Sequence, residues 1–295
     1  MMVFLNGRMI PESQAHISIH DHGFLYGDGV YETLRVRESV PLFLEEHMNR
    51  LKHSLKALSM ASPLTSKALS RAIHKLILVN RHKESALRLT ITRGVGGHGF
   101  DPSLCKTPTI LMTSRPFTGY PARFYKRGMI AALVSIQRNA PEALPPSVKS
   151  ISCLNNILAK IESRKVKADE ALMLSAGGSV AEGTVSNVFF VKQEQLFTPA
   201  LDGHQLSGVT RACVCELARK EGFRVTETKV SVEDLMSADE VFLTSSLMEI
   251  MPVGKLVVDG KVHFVGTTMN WPITRRLMIC YTSLRRKSNR FRGSI

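Results

Sequence analysis

The order of its helix and strand patterns most limits how this chain can fold, because strands come in groups and amphipathic helices stand between the groups. The first group opens with a hairpin pattern whose turn is Asn6-Gly7. The further strand patterns of the first half cover 29–36, 85–94 and 108–114. Leucine at helical spacing predicts a helix over 41–60, and another helix fits 66–80. Grouped strands with helices between them are typical of the α+β class, which we predict here.

The periodicity is lost between Phe117 and Gly128, where the chain reads FTGYPARFYKRG. Prolines and glycines in such a stretch mark a boundary, and 295 residues suffice for two medium domains. We therefore predict two domains. The predicted parts are a smaller N-terminal domain over 1–118, an interdomain loop over 119–130, a larger C-terminal domain over 131–284 and a basic tail over 285–295.

The chain is strongly basic, with 39 Lys and Arg against 25 Asp and Glu and a pI near 9.8. Such a charge suits a nucleic-acid partner. However, five basic residues fall in the last eleven positions, RRKSNRFRGSI, and no zinc-finger, helix-turn-helix or RNA-binding signature accompanies them. A solvated tail is the simpler interpretation, with a nucleic-acid arm as the alternative. We expect no nucleic-acid partner.

No stretch reaches the roughly 18 uninterrupted apolar residues of a membrane span. The N-terminal MMVFLNGRMIPE breaks its apolar run at once, unlike a signal peptide. The five cysteines are scattered and odd in number, which does not suit a disulfide scaffold. We therefore expect a cytoplasmic protein without a membrane partner.

One helix start could bind a phosphate group. Leu206-Ser207-Gly208 leads directly into a helix pattern that begins with Val209 and Thr210. The unpaired N–H groups at the start of a helix attract anions. An ordinary serine-capped helix is the alternative, and this segment taken alone favours it.

Three charged residues could carry chemistry. Lys149 lies in PPSVKSIS, between a proline-rich turn and a helix, where partial burial would make its amine a nucleophile. A surface lysine is the alternative. Glu182 ends the alternating stretch GGSVAEG, and it either projects from a strand end or lies in a solvated turn. Arg50, in the helix HMNRLKHS, either binds an anion or faces solvent.

Other patterns do not complete a site. His20-Asp21-His22 lacks a further ligand cluster, and the thiols of Cys213 and Cys215 point about 200° apart on a helix. We therefore expect no metal site. The glycines of 94–99 are similar to those of a dinucleotide-binding loop, but no helix pattern follows them.

Taken together and in this order, seven motifs resemble the class IV, fold-type IV pyridoxal-phosphate enzymes. That family holds the branched-chain aminotransferases, the D-amino-acid aminotransferases and 4-amino-4-deoxychorismate lyase. The resemblance runs from about Phe4 to about Leu277 and implies the two-domain fold of this family. The motifs are FLYGDGVYETLRV (24–36), HMNRLKHSLKAL (47–58), TRGVGGHGFDP (92–102), KSISCLNNILAKIE (149–162), VAEGTVSNVFFVK (180–192), LSGVTR (206–211) and TSSLMEIMPV (244–253).

The resemblance implies the cofactor pyridoxal 5'-phosphate and a role for each matching residue. Lys149 matches the lysine that forms a Schiff base with the cofactor and later moves the substrate proton. Glu182 matches the glutamate at the pyridine nitrogen. The residues that match the phosphate site are Arg50, Val209, Thr210 and Ser246. Those expected on the substrate side are Tyr31, Thr33, Arg88 and Leu247.

Different motifs resemble different members of the family. RLTITRGVGGHGFDPSLCKTPT, RNAPEALPPSVKS and LNNILAKIE are most similar to branched-chain aminotransferases, although Ser152-Cys153 stands where that group has an Asn-aromatic pair. AEGTVSN, PALDGHQLSGVTR and SLMEIMPV also resemble the lyase. The arginine–histidine pair of the D-amino-acid enzymes finds only His98 as a match.

We predict a homodimeric transaminase that moves an amino group between a branched-chain or similar amino acid and 2-oxoglutarate. Its partners would be small amino acids and 2-oxo acids. The alternatives are 4-amino-4-deoxychorismate lyase and D-amino-acid aminotransferase. A non-enzymatic binding protein on the same fold is disfavoured by the retained Lys149, Glu182 and Arg50.

Overall fold

The computed structural model describes residues 1–266 and 270–290, with the backbone alone for 285–290. Within these ranges the chain divides into two compact units. The first consists of Met1–Thr118 together with Val148–Cys153, and the second of Gly119–Ser147 and the described residues from Leu154 onwards. None of the helices in these ranges has both the length and the hydropathy that crossing a lipid bilayer requires.

The first unit is built on a six-stranded antiparallel sheet. Its strands are β1 (Met2–Leu5), β2 (Arg8–Pro11), β3 (Gly29–Arg37), β4 (Val40–Pro41), β5 (Ser85–Thr92) and β6 (Thr109–Pro116), in the spatial order β2-β1-β6-β5-β3-β4. The turn between β1 and β2 has positive φ at Asn6 and Gly7, 47° and 91°, as a tight hairpin requires. The hairpin prediction is confirmed.

The described helices of this unit are α1 (His22–Tyr26), α2 (Leu44–Ala57) and α3 (Ser66–Asn80). α3 begins and ends where the sequence predicts, and the side chain of Thr65 caps it by accepting from Ala68 N at 3.2 Å. α2 packs on β3, whereas α3 packs on β1 and β6. The apolar faces of both helices and one face of the sheet form a single core.

The second unit holds a nine-stranded mixed sheet. Its strands are β7 (Met129–Leu133), β8 (Glu170–Leu174), β9 (Val180–Gly183), β10 (Asn187–Lys192), β11 (Gln195–Pro199), β12 (Val225–Thr228), β13 (Glu240–Ser245), β14 (Glu249–Val258) and β15 (Lys261–Phe264). The order is β12-β11-β10-β13-β14-β7-β8-β9, and β15 also pairs with β14. The helices described here are α4 (Ala122–Arg127), α5 (Leu154–Lys165), α6 (Val209–Lys220), α7 (Val232–Met236) and α8 (Pro272–Arg290).

The expected loop over 119–130 is not a loop throughout. It contains α4, which Gly128 ends with a φ of 75°, and β7 begins at the next residue. A helix of six residues is too short to show helical periodicity. Its inward residue Phe124 joins the core of the second unit.

The expected basic tail is also partly structured, because α8 continues to Arg290. Trp271, Leu277 and Tyr281 are buried and hold the first turns of this helix. Once a helix has started, each further residue adds a hydrogen bond at little cost, so it can extend past its apolar stretch. The last part of the tail, 291–295, lies outside the described residues.

Candidate functional site

The segment that carries Lys149 pairs with β3 in the first unit. Tyr31 N donates to Lys149 O at 3.0 Å, and Ile151 N donates to Gly29 O at 2.9 Å. On its other side, Lys149 N donates to Ser54 Oγ of α2 at 3.2 Å. These contacts explain why 148–153 belongs to the first unit. They also hold the backbone of Lys149 in a fixed position. Lys149 is half-buried, unlike an ordinary surface lysine.

Two of the predicted residues, Lys149 and Arg88, meet at the ring of Tyr31. Lys149 Nζ lies 4.4 Å from the ring centroid, and Arg88 Cζ lies 3.8 Å from it. Thr33 is two residues along β3, so it shares the face of Tyr31, and it stands opposite Arg88 in the strand register. The structure therefore brings Tyr31, Thr33, Arg88 and Lys149 together on one face of the first sheet.

Cys153 also contacts this cluster. Its Sγ lies 3.9 Å from Tyr31 Oη, and the neighbouring Ser152 Oγ donates to Gly27 O at 2.9 Å. Burial is the main cause that raises the pKa of Tyr31 to about 12, and the nearby Cys153 is the second. The phenol therefore stays protonated at physiological pH and can donate a hydrogen bond.

Arg50 lies on the other face of β3, where its guanidinium forms a bidentate pair with Glu32. Arg50 Nε donates to Glu32 Oε1 at 2.8 Å, and Nη2 donates to Oε2 at 2.7 Å. His47 Nδ1 lies 2.7 Å from the same Oε2. The alternative of a solvent-facing Arg50 does not hold, because only 8% of its side chain is exposed.

The electrostatics of this group follow from burial and pairing. Burial alone would raise the pKa of the Glu32 carboxyl, but the hydrogen bonds from Arg50 and His47 outweigh it and lower the pKa to about 2. Burial lowers the pKa of His47 in spite of the adjacent carboxylate. The imidazole is therefore neutral at physiological pH, and Nδ1 carries the hydrogen that Glu32 accepts.

In the second unit, Glu182 is a buried carboxylate rather than a solvated turn residue. Arg138 Nε donates to its Oε1 at 2.8 Å, while Leu206 N and Asn187 Nδ2 donate to its Oε2 at 3.0 and 3.4 Å. The exposed fraction is 6% for the side chain of Glu182 and 10% for that of Arg138. Arg138 also donates to Asn155 Oδ1 at 3.1 Å, so the guanidinium is itself held in place.

The start of α6 lies beside this carboxylate. Gly208, and not Ser207, is the residue that caps the helix, and it offers no side chain to the first N–H groups. A Cβ on Gly208 would come within 2.0 Å of Asn187 Oδ1, so any larger residue would force the side chain of Asn187 to move. Among the described residues, the buried hydroxyl of Thr210 has no hydrogen-bond partner. A helix start without a side-chain cap and with an unsatisfied hydroxyl fits a phosphate group.

Ser246 and Leu247 lie in the turn between β13 and β14, where both are half-buried. The strand before this turn, β13, contains Thr244, which stands opposite Asn187 in the register of β13 and β10. β13 also packs against α6. The turn is therefore attached to the same part of the second sheet as Glu182 and the helix start.

Sequence reasoning missed three residues of these clusters: Glu32, His47 and Arg138. The first two had a readable signal, because Glu32 alternates with Tyr31 on the strand and His47 precedes Arg50 by three residues on a helix. Arg138 had none. It lies outside the regular elements, and it reaches Glu182 across 44 positions of the chain.

The histidine-rich N-terminal loop has a structural explanation. Asp21 is fully buried and accepts from the hydroxyls of Thr92 and Thr109 at 2.9 and 2.7 Å, so its oxygens are used within the protein. His20 packs edge-on against His98, with ring centroids 5.9 Å apart. Within the part of the chain that the structure describes, no three His, Cys, Asp or Glu side chains are placed to hold a metal ion.

The chain is similar in sequence to known enzymes. A family model described as amino-transferase class IV matches residues 29–256. A protein of Methanocaldococcus jannaschii described as a branched-chain-amino-acid aminotransferase is 38% identical over 287 residues, covering 97% of both chains. Aminodeoxychorismate lyase of Bacillus subtilis is 36% identical over 86% of both chains, and D-alanine aminotransferase of Bacillus licheniformis is 30% identical over 94% of both.

Solved structures show the same fold. The branched-chain amino acid aminotransferase of Escherichia coli superimposes with a TM-score of 0.91 at 30% identity, covering 96% of this chain and 94% of that one. A second branched-chain enzyme, solved with pyridoxamine 5'-phosphate, gives 0.90 at 27% identity over the same shares. The 4-amino-4-deoxychorismate lyase of Pseudomonas aeruginosa gives 0.80 at 30% identity, covering 95% of this chain and 98% of that one.

Proposed function

Because the chain belongs to the class IV aminotransferase family and has its fold-type IV architecture, we propose that it uses pyridoxal 5'-phosphate to move an amino group between a branched-chain or similar amino acid and 2-oxoglutarate. The observation that carries this proposal is the cluster of Lys149, Tyr31 and Arg88 in a chain matched over 97% of its length by a branched-chain relative. A solved relative that contains pyridoxamine 5'-phosphate supports the cofactor.

Lys149 is the proposed catalytic residue. Its Nζ would hold the cofactor covalently until the amine of the substrate displaces it, and the freed Lys149 amine would then take the proton from the substrate Cα. When bound, the cofactor supplies an electron sink for the negative charge that develops on that carbon. The hydrogen bonds of the Lys149 backbone to Tyr31 and Ser54 support this role, because they fix the origin of the side chain.

Glu182 would hold a proton at the pyridine nitrogen. A carboxylate suits this task only if it is held in a fixed position, and Arg138 contributes to this by pairing with Oε1. Leu206 N fixes the other oxygen. Glu182 is thus proposed as a cofactor-binding residue, and Arg138 as the residue that positions it.

The phosphate would be bound by Arg50, by the backbone N–H groups of Val209 and Thr210, and by Ser246. The unsatisfied Thr210 hydroxyl and the start of α6 fit such an anion. On the substrate side, Arg88 would pair with the carboxylate of the amino acid, and Tyr31 would pack against its side chain. Thr33 and Leu247 are the other proposed substrate contacts.

We also propose a homodimer, on the evidence of α5. The amphipathic pattern of this helix predicts a buried apolar side, but Leu154, Ile157, Leu158 and Ile161 are exposed at helical spacing. Such a stripe normally packs against a partner, and a second copy of the chain is the occupant that we propose. Sedimentation should give twice 32.7 kDa for the protein and 32.7 kDa for an Ile157→Glu/Ile161→Glu variant. A monomeric wild type would refute this assembly.

The second candidate function is the lyase reaction that releases 4-aminobenzoate from aminodeoxychorismate. Its support is the 36% identity to the Bacillus subtilis lyase over 86% of both chains. D-amino-acid transamination ranks third, with 30% identity to a D-alanine aminotransferase.

Borohydride reduction followed by digestion tests the catalytic assignment. Mass spectrometry should find the cofactor on the peptide that contains Lys149, and a Lys149→Ala protein should neither retain it after reduction nor turn over. Lys52→Ala, a change of an exposed lysine on α2, should behave as wild type. A Lys149→Ala protein that still turns over would refute the proposal.

A further inference from the structure

The inward face of α2 carries a row of polar side chains in an otherwise apolar core. His47, Arg50 and Ser54 are three and four residues apart, so they lie on one face of the helix. Leu51 and Leu55 of the same helix belong to the core. Placing polar groups in such a core is costly unless each one is paired. We call His47, Arg50 and Ser54 the polar row.

Glu32 pairs with two members of the polar row at once. Its side chain is 0% exposed. Its two oxygens accept hydrogen bonds from Arg50 Nε, Arg50 Nη2 and His47 Nδ1, with donor–acceptor distances of 2.7–2.8 Å. A bidentate contact fixes the plane of the guanidinium, and the histidine fixes the carboxylate that makes this contact. Arg50 is therefore ordered by the protein itself, and its orientation does not depend on a ligand.

The third member of the row acts on a different part of the site. Ser54 Oγ accepts from Lys149 N at 3.2 Å, so the same helix face that orients Arg50 also holds the backbone of Lys149. The proposed phosphate anchor and the proposed covalent anchor of the cofactor are thus tied to one rigid helix.

We propose that Glu32 and His47 are positioning residues for the cofactor phosphate, with Glu32 acting through Arg50 and His47 acting through Glu32. The inference rests on the proposed function, because it takes Arg50 as the phosphate ligand. Arg50 is already ordered in the folded protein. Binding of the cofactor therefore loses no free energy to the conformational entropy of ordering this side chain. The contribution of Glu32 should therefore be specific to ligands that carry a phosphate.

The test compares two probes, pyridoxal 5'-phosphate and pyridoxal, which lacks the phosphate. Each is titrated into the full-length protein after its cofactor has been removed. For Glu32→Gln we expect the Kd of pyridoxal 5'-phosphate to rise about 10-fold or more, as for loss of hydrogen bonds to a charged group. The Kd of pyridoxal should change less than about 3-fold. Glu46→Gln removes an exposed carboxylate from the same helix and should change neither value.

A double variant separates a positioning role from a direct one. If Glu32 acts through Arg50, Glu32→Gln should weaken cofactor binding little further in an Arg50→Ala background. The effect of Glu32→Gln on affinity would then come entirely from its interaction with Arg50. His47 supplies an independent test that leaves the ion pair intact. His47→Asn keeps a donor near the position of Nδ1 and should stay close to wild type, whereas His47→Leu should weaken phosphate-dependent binding. His53→Asn, an exposed change on α2, is the matched control.

The outcomes are distinguishable. Equal weakening of both probes in Glu32→Gln and in His47→Leu would indicate general damage to the fold and would overturn the inference. Unchanged binding in these variants while Arg50→Ala binds weakly would overturn it too, and would leave the phosphate role of Arg50 intact. Unchanged affinity in Arg50→Ala would refute that role of Arg50 in the proposed function, and the inference with it.

Discussion

Replacing Arg138 with methionine removes the guanidinium that pairs with Glu182 Oε1 at 2.8 Å. With exposed fractions of 10% and 6%, these two side chains form a buried ion pair. Removing one partner of such a pair costs about 3–5 kcal/mol, because the remaining charge stays buried without its counter-charge. We therefore expect Arg138→Met to lower the free energy of unfolding by about 3–5 kcal/mol.

The matched control is Arg219→Met in the same unit. Arg219 pairs with Glu227 at 3.0 Å, but 53% of its side chain is exposed. The expected cost is below about 1 kcal/mol. The double variant Arg138→Met/Glu182→Gln should be more stable than Arg138→Met alone, because it removes the uncompensated charge.

Urea unfolding of the cofactor-free protein measures these differences through Trp271, the single tryptophan, which is buried in the second unit. An Arg138→Met protein within about 1 kcal/mol of Arg219→Met would refute the description of Arg138 and Glu182 as a buried, coupled pair.

Three further predictions concern single residues. Gly208→Ala should cost about 1–3 kcal/mol of stability, since its Cβ would lie 2.0 Å from Asn187 Oδ1; an unchanged melting temperature would contradict this. Glu182→Gln should lower kcat by about 10²-fold, or about 2.7 kcal/mol of barrier, and a single-turnover rate within about 3-fold of wild type would exclude the role. Glu32 has a pKa lowered from 4.5 to about 2, so it stabilises the fold above pH 4.5 by about 3 kcal/mol and loses this as the pH falls towards 2; Glu32→Gln should flatten stability over that window, and an unaltered acid-unfolding curve would count against the pairing.

The sequence predicts well those features that depend on neighbouring residues. Asn6-Gly7 gives its hairpin because two adjacent residues adopt positive φ. α3 keeps its predicted bounds because the Thr65 cap and the apolar side of the helix both act within one helix. The matches of Lys149, Arg50 and Glu182 to family motifs also select residues that the structure places in ordered, buried or half-buried surroundings.

Features that depend on distant residues were not predictable from local patterns. The pairing of 148–153 with β3 joins positions more than a hundred residues apart, so the domain boundaries drawn along the chain do not assign this segment to the first unit. The contact between Arg138 and Glu182 is likewise set by the fold alone. α5 shows the same limit from the other side, because the helical spacing of its apolar residues does not tell what covers that face.

The half-reaction of the holoenzyme with single amino acids tests the central claim most directly. Purified protein is mixed with one L- or D-amino acid at a time, and the conversion of the bound cofactor to its amine form is followed by absorbance, together with the 2-oxo acid released. We predict conversion with L-leucine, L-isoleucine, L-valine and L-glutamate, with one molecule of 2-oxo acid released for each active site. No conversion with these four, together with release of 4-aminobenzoate from aminodeoxychorismate, would contradict the proposed transaminase.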